Sequence, residues 1–133
     1  MNGSAWLDEV QWNEDGLVPV IAQEQSSGQV LMMAWMNREA LLQTVTTGYA
    51  VYWSRSRQEL WAKGEVSGHR QQLKELRLDC DQDALLMVVD QQGGIACHTG
   101  RHHCFFRRLE NKEWHCIEPV IREPGEIYGD DRS

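Results

Sequence analysis

Residues 78–89 read LDCDQDALLMVV: three aspartates at alternate positions, a cysteine among them, and an apolar run directly after. Side chains alternate between the two faces of an extended strand. The spacing therefore predicts Asp79, Asp81 and Asp83 on one face, with Cys80 and Gln82 on the other. Adjacent carboxylates repel one another unless protons neutralise some of them or a cation joins them. Hard oxygen donors suit Mg²⁺ or Ca²⁺; a solvated acidic strand edge is the plainer alternative. An EF-hand is excluded, because that loop needs glycine at its sixth position and glutamate at its twelfth, where this chain has Ala84 and Asp90.

Cys80 is placed to join other thiols. ACHTGRHHCFF carries Cys97 and Cys104, with His98, His102 and His103 close by. Thiolate and imidazole suit Zn²⁺, although the spacing is not that of a C-x-x-C finger and buried inert cysteines are the alternative. Three thiolates leave a fourth position for water, the usual design of a catalytic zinc site. Cys116 as a fourth ligand would close a structural site instead. The open site is the favoured reading, since Cys116 lies in a separate C-terminal strand and could simply be buried. Zinc lowers the pKa of bound water towards neutrality, and His98, beside Cys97, is the candidate to move the proton. The H-x-E…P-C-x-x-C signature of zinc nucleobase deaminases is absent.

A second concentration of unusual residues spans 52–69, YWSRSRQELWAKGEVSGH. Strand alternation would put Arg55 and Arg57 on one face and Ser54 and Ser56 on the other. Guanidinium forks match phosphate oxygens, Lys63 adds a point charge, and serine hydroxyls can complete the shell. Trp53 and Trp61 could stack a base, and Gly64 and Gly68 let backbone amides approach an anion. Neither a Walker P-loop nor G-x-G-x-x-G is present. Each feature taken singly also fits a solvated charged edge.

The elements that must position these residues read as mainly β, in antiparallel sheets, with one prominent helix near residues 38–47; α+β is the alternative class. GLVPVIAQE and QVLMMAWM form a hairpin across QSSG. Asn37 is a helix N-cap and Gly48 sits at C′, with Ala40, Leu41, Thr44 and Val45 as the inward stripe. From Tyr49 onward, YAVYWSRSR, QLKELRLDCD, ALLMVVD, HCFFRRLE and WHCIEPV have strand composition, separated by turn signals. The 133 residues suit one domain spanning 1–133, with a loose tail from about residue 123. A formal charge of −7 argues against general nucleic-acid binding. No run approaches the roughly 18 apolar residues of a membrane span. The N-terminus lacks a basic n-region and an apolar h-region, so a cytoplasmic protein with reduced cysteines is expected.

Taken in order, GLVPVIAQ, VLMMAWMNREAL, YWSRSR, LWAKGEVSGH, DCDQDALL and ACHTGRHHCF resemble the phosphoribosyl-AMP cyclohydrolases of histidine biosynthesis over about residues 16–106. The resemblance implies a β-rich fold, Zn²⁺ on Cys80, Cys97 and Cys104, and Mg²⁺ on Asp79, Asp81 and Asp83. It also implies an intertwined homodimer whose zinc site is assembled at the subunit interface from both chains. The pyrophosphatase domain fused to some relatives is not seen in the sequence. His103 departs from the pattern, standing where a small residue such as serine is expected.

The implied reaction opens the adenine ring of N1-(5-phosphoribosyl)-AMP: zinc-activated water attacks C6 and the N1–C6 bond breaks. His98 would handle the proton, and magnesium would offset anionic charge. The substrate would be held by Ser54, Arg55, Ser56, Arg57, Trp61 and Lys63, with Glu65, Ser67, Gly68 and His69 of the KGEVSGH segment. Two rivals stand beside this reading. One is a binding module with a closed four-cysteine zinc and an arginine-serine surface for nucleic acid. The other is a hydrolase of a different purine nucleotide.

Overall fold

The computed structural model describes residues 5–128. A 3₁₀ turn, Ala5–Glu9, buries Leu7 and leads into β1, Val18–Glu24, and β2, Val30–Met36. These two strands form the expected antiparallel hairpin, with Val18 opposite Met36 and Val20 opposite Ala34. The turn closes where the Gly28 amide donates to the Glu24 carbonyl at 2.8 Å. Period-two alternation is plain in β1, where Val18, Val20 and Ala22 are fully buried while Ile21 between them is exposed.

Helix α1, Arg38–Thr47, begins and ends as its flanking residues require. The Asn37 side chain accepts from the Ala40 amide at 2.8 Å, and Gly48, at φ 81°, donates its amide to the Thr44 carbonyl. A positive φ of that size is natural for glycine and strained for most other residues. Ala40, Leu41 and Thr44 are buried as expected, but Val45 is 41% exposed and does not belong to the inward stripe. At 3.6 residues per turn it lies about 90° round the helix from the centre of that stripe. Thr44 also accepts from the Val51 amide at 2.9 Å, tying the helix to the next strand.

Strands β3, Val51–Ser54, and β4, Glu59–Ala62, form a short hairpin of their own. β5, Gln71–Leu78, and β6, Leu85–Gln91, are antiparallel partners, and they complete a four-stranded sheet of order β2-β1-β6-β5. The expectation of antiparallel sheets meets one exception, because β1 and β6 run parallel, with Val20 beside Leu85. Leu85, Met87 and Val89 of β6 join Val18, Val20 and Ala22 in the core, which α1 and Tyr52 of β3 cover. Burying each valine, leucine or methionine among them contributes about 1.5–3 kcal/mol.

The C-terminal hairpin, β7 Arg107–Glu110 and β8 Glu113–Cys116, is exposed along both strands. Cys116 is thus an exposed thiol, where the sequence left room for a buried one. In the region expected to be loose, Pro124–Tyr128 form a short helix, α2, and residues 129–133 lie outside the described residues. No helix among the described residues is long and apolar enough to cross a membrane.

Candidate active site and metal centres

The β3–β4 hairpin and the loop after β4 enclose a cleft of about 530 Å³. Ser54, Ser56, Arg57, Trp61 and Lys63 line it, joined by Glu65 and Ser67 of the following loop and by His98 from beyond β6. The chain leaves the strand at Ser54, and Gln58 at φ 54° completes the turn. The Arg57 amide donates to Ser54 Oγ at 3.2 Å, and the two serine hydroxyls lie 3.4 Å apart.

That turn overrides strand alternation. Both serines and Arg57 face the main cleft, whereas Arg55 stacks over the Trp35 ring at 4.7 Å. Arg55 lines a second cleft of about 350 Å³ with Trp53 and Asp15. The expected shared face for Arg55 and Arg57 is therefore corrected, and Trp53 and Trp61, both read as able to stack a base, line different clefts. Trp61 stays in the main cleft, its ring 5.4 Å from that of Tyr52.

The loop 63–69 is folded tightly. A Cβ on Gly64 would lie 2.4 Å from the Arg70 amide nitrogen, so only glycine fits there. The Gly68 amide closes the loop on the Gly64 carbonyl at 2.8 Å, and the His69 amide donates to Ser67 Oγ at 3.1 Å. Lys63 is only 8% exposed and its ammonium donates to the Ala96 carbonyl. Burial pushes its pKa down, against the opposing pull of Cys104 and Cys97. His69 is buried against Gly93, behind the cleft, where burial first, then Arg122 and Lys63, lower its pKa.

Beneath the cleft runs a buried network that the sequence did not disclose. Tyr52 Oη donates to Gln71 Oε1 at 2.5 Å, and Gln71 Nε2 donates to Gln91 Oε1 at 2.9 Å. Gln91 Nε2 in turn reaches the His69 and Ile95 carbonyls at 3.1 and 3.2 Å. Buried amides need such partners, and the available signal was a glutamine at the core end of an apolar strand. Glu59, on the cleft wall 4.0 Å from Arg57, was likewise not singled out.

After β6 the chain doubles back. The Ala96 amide donates to His102 O at 3.0 Å and the Cys97 amide to Arg101 O at 3.1 Å, which returns Cys104 towards Cys97. The Cys104 thiol donates to Cys97 Sγ, and this bond is the main reason the Cys97 pKa falls to about 5; Thr99 and His98 assist against desolvation. Cys104 is pushed up correspondingly, through the same bond and then burial. One thiolate and one thiol side by side form a donor set suited to a soft or borderline metal such as zinc.

The aspartates meet for a reason other than the expected one. Residues 79–84 are a loop, not a strand: the Asp79 amide donates to Ala84 O at 3.0 Å, and Gln82 adopts φ 66°. The turn gathers Asp79, Asp81 and Asp83 so that one ligand oxygen from each lies within 4.8 Å of the others. Desolvation and then Asp79 and Asp81 raise the Asp83 pKa. Desolvation also pushes Asp79 up, but hydrogen bonds from the Asp83 amide and from the Asp81 and Asp83 side chains outweigh it and lower its pKa. Cys80 does not face away from this cluster; its Sγ lies 3.7 Å from Asp81 Oδ1. Among the described residues the aspartates are the one group of three metal-ligating side chains, so Cys80 does not join Cys97 and Cys104 within one chain.

His103, the departure in the pattern, is 4% exposed, with Nε2 3.2 Å from Glu118 Oε1. Cys116 contacts Arg101 Nη2 at 3.5 Å and donates to Glu118 O.

Known proteins give the arrangement its context. A family model described as phosphoribosyl-AMP cyclohydrolase matches residues 32–106. A phosphoribosyl-AMP cyclohydrolase of Methylococcus capsulatus is 65% identical over 126 residues, covering 95% of this chain and 98% of the relative. One from Nitrosococcus oceani is 63% identical over 123 residues, covering 92% and 93%. The chain belongs to the phosphoribosyl-AMP cyclohydrolase family. As a member it is an enzyme, a hydrolase of histidine biosynthesis. The family match contains the main cleft, the aspartate loop and both members of the thiol pair.

Proposed function

We propose that this enzyme hydrolyses the N1–C6 bond of the adenine ring in N1-(5-phosphoribosyl)-AMP, yielding the formimino-aminoimidazole carboxamide ribonucleotide. The observation that carries the reading is the position of His98. It follows Cys97, whose sulfur accepts from the Cys104 thiol, and it lines the cleft with Arg57, Ser54, Ser56 and Trp61.

In this reading Arg57, Ser54 and Ser56 hold a phosphoribosyl phosphate and Trp61 stacks on the base. Glu65 and Ser67 lie within the cleft for the ribose hydroxyls. Fixing the substrate in this way contributes much of the rate gain. Cys97 and Cys104 hold zinc, with Cys80 supplied by a second copy of the chain, and Asp79, Asp81 and Asp83 hold magnesium. Zinc, when bound, supplies the Lewis acidity that makes water a nucleophile near neutral pH. His98 takes a proton from the attacking water and returns it to N1 as the C6–N1 bond breaks. Lys63 lines the cleft but is buried, and its ammonium is engaged by the Ala96 carbonyl, so it serves the site by holding the thiol loop rather than as an exposed phosphate grip. Arg55 reaches the substrate only through the neighbouring cleft. Four unbridged cysteines suit a reducing cytoplasm.

The separation of Cys80 from the thiol pair supports a shared, interfacial zinc site, because three thiolate ligands otherwise have no common point. The test is absorbance during incubation with N1-(5-phosphoribosyl)-AMP and Mg²⁺, with and without a zinc chelator. Ring opening that stops on chelation is expected. Failure of folded, zinc-replete protein to open the ring would sink the reading.

A further inference from the structure

Residues 116–122 lie beyond the stretch that the family model matches, yet their contacts converge on the loop that carries Cys97 and Cys104. The Gly100 carbonyl accepts from the Ile121 amide at 2.8 Å and from the Arg122 amide at 3.3 Å. Gly100 has φ 86°, and a Cβ there would lie 1.7 Å from the Arg122 carbonyl oxygen, so the two backbones touch directly. Arg101 Nε donates to the Glu118 carbonyl at 3.1 Å. The Glu118 carboxylate meets His103 Nε2 at 3.2 Å, and His103 is the residue immediately before Cys104. The other ring nitrogen, Nδ1, is buried without a hydrogen-bond partner. Glu118 is therefore the only polar anchor among the described residues for a ring that is 4% exposed.

We propose that Glu118 is a positioning residue for the thiol loop, and that residues 116–122 form a strap holding Cys97 and Cys104 in their ligating arrangement. The loop is short, and its own hydrogen bonds, from Ala96, Cys97 and Gly100, fix only its neck and turn. The strap grips the loop at Gly100, Arg101 and His103, between its two thiols. The Cys104 amide is itself held by the Leu31 carbonyl at 2.7 Å. What the strap adds is restraint of residues 100–103 between the thiols, and without it metal binding must remove the freedom those residues gain. The inference rests on the zinc reading above.

The experiment is competition for Zn²⁺ between the full-length protein and a chromophoric chelator, with thermal unfolding recorded alongside. Outer-shell partners of metal ligands typically change affinity by about 10–100-fold. Glu118→Ala should therefore weaken zinc binding about tenfold or more, with the unfolding midpoint little changed. Glu118→Gln keeps an oxygen and an N–H within reach of His103 and should restore most of the affinity. Gly100→Ala presses on the same strap from the loop side and should weaken binding in the same direction. Wild-type affinity in both Glu118→Ala and Gly100→Ala, or a Glu118→Gln variant as weak as alanine, overturns the proposal. Cys97→Ser separates the two readings: if the wild type holds no more zinc than this variant, the zinc site itself is wrong.

Discussion

The buried ammonium of Lys63 donates to the main-chain carbonyl of Ala96, one residue before Cys97. This bond links the wall of the cleft to the loop of the thiol pair. Lys63→Met removes a buried charge, which relieves a desolvation cost, but leaves a carbonyl short of a donor at about 1–3 kcal/mol. The two effects oppose, so the unfolding midpoint should hold or rise. Activity should fall about 100-fold, the scale of a misplacement near 1 Å. A less stable variant with full kcat/KM would reduce Lys63 to a structural role.

Gln91 bonds to Gln71 and to the His69 and Ile95 carbonyls, so it holds together the loops on either side of the cleft. Gln91→Leu strands all three groups and should destabilise the fold by about 2–4 kcal/mol in urea unfolding. Tyr52→Phe removes only one donor to Gln71 and should cost less, about 1–2 kcal/mol. Equal losses from the two variants would mean that the network does not act as described.

Zinc content separates the open site from the closed one. Cys116 is exposed on β8 and engaged with Arg101 and Glu118, away from the thiol pair. Cys116→Ala should keep its zinc, whereas Cys80→Ala and Cys97→Ser should lose it, as read by metal analysis of the purified variants. Loss of zinc on removal of Cys116 would favour the four-thiolate structural site.

The aspartate loop carries its own pH signature. Asp83 is raised above its ordinary value of 3.8. A raised folded pKa lends stability that is fully present below the unfolded value and is lost as pH rises through the folded one. Asp79, lowered by its hydrogen bonds, works in the opposite sense. The signature therefore belongs to Asp83, whose repulsion from Asp79 and Asp81 a bound Mg²⁺ would relieve. Addition of Mg²⁺ should raise the unfolding midpoint at about pH 7 and lose that effect as the pH falls into the carboxylate range. Asp81→Asn should diminish the effect and weaken the magnesium dependence of turnover; unchanged responses would remove the metal from this loop.

His69 acts in the opposite direction. Its pKa is lowered from 6.5, so below that value the unfolded chain binds more protons than the folded one. Its contribution is present above 6.5 and is lost as pH falls through the folded value. Unfolding free energy measured from about pH 8 down to 5 should decline, and His69→Gln should flatten the decline. An unaltered pH profile in that variant would assign the dependence to other groups.

The sequence by itself determined the local elements, the family and the chemical types at the site. Asn37 and Gly48 mark the ends of α1 because a cap bonds only to its own first or last turn. The alternation in residues 18–22 marks β1 because one face of the strand must be dry. The set of three aspartates was legible too, but not the way they meet, because strand alternation and a tight loop bring the same residues together. Only the observed bonds, from the Asp79 amide to the Ala84 carbonyl and from the Asp83 amide to Asp79 Oδ1, tell them apart. Tertiary structure alone decided that Arg55 and Arg57 enter different clefts, since the turn at Ser54 cancels the period on which their pairing was read. It alone brought Lys63 to the Ala96 carbonyl, Gln91 to the Ile95 carbonyl and the strap to Gly100. The physical reason is range. Caps and alternation are set by neighbours a few residues away, whereas the meeting of Lys63 with Ala96, or Gly100 with Arg122, depends on how the whole core packs.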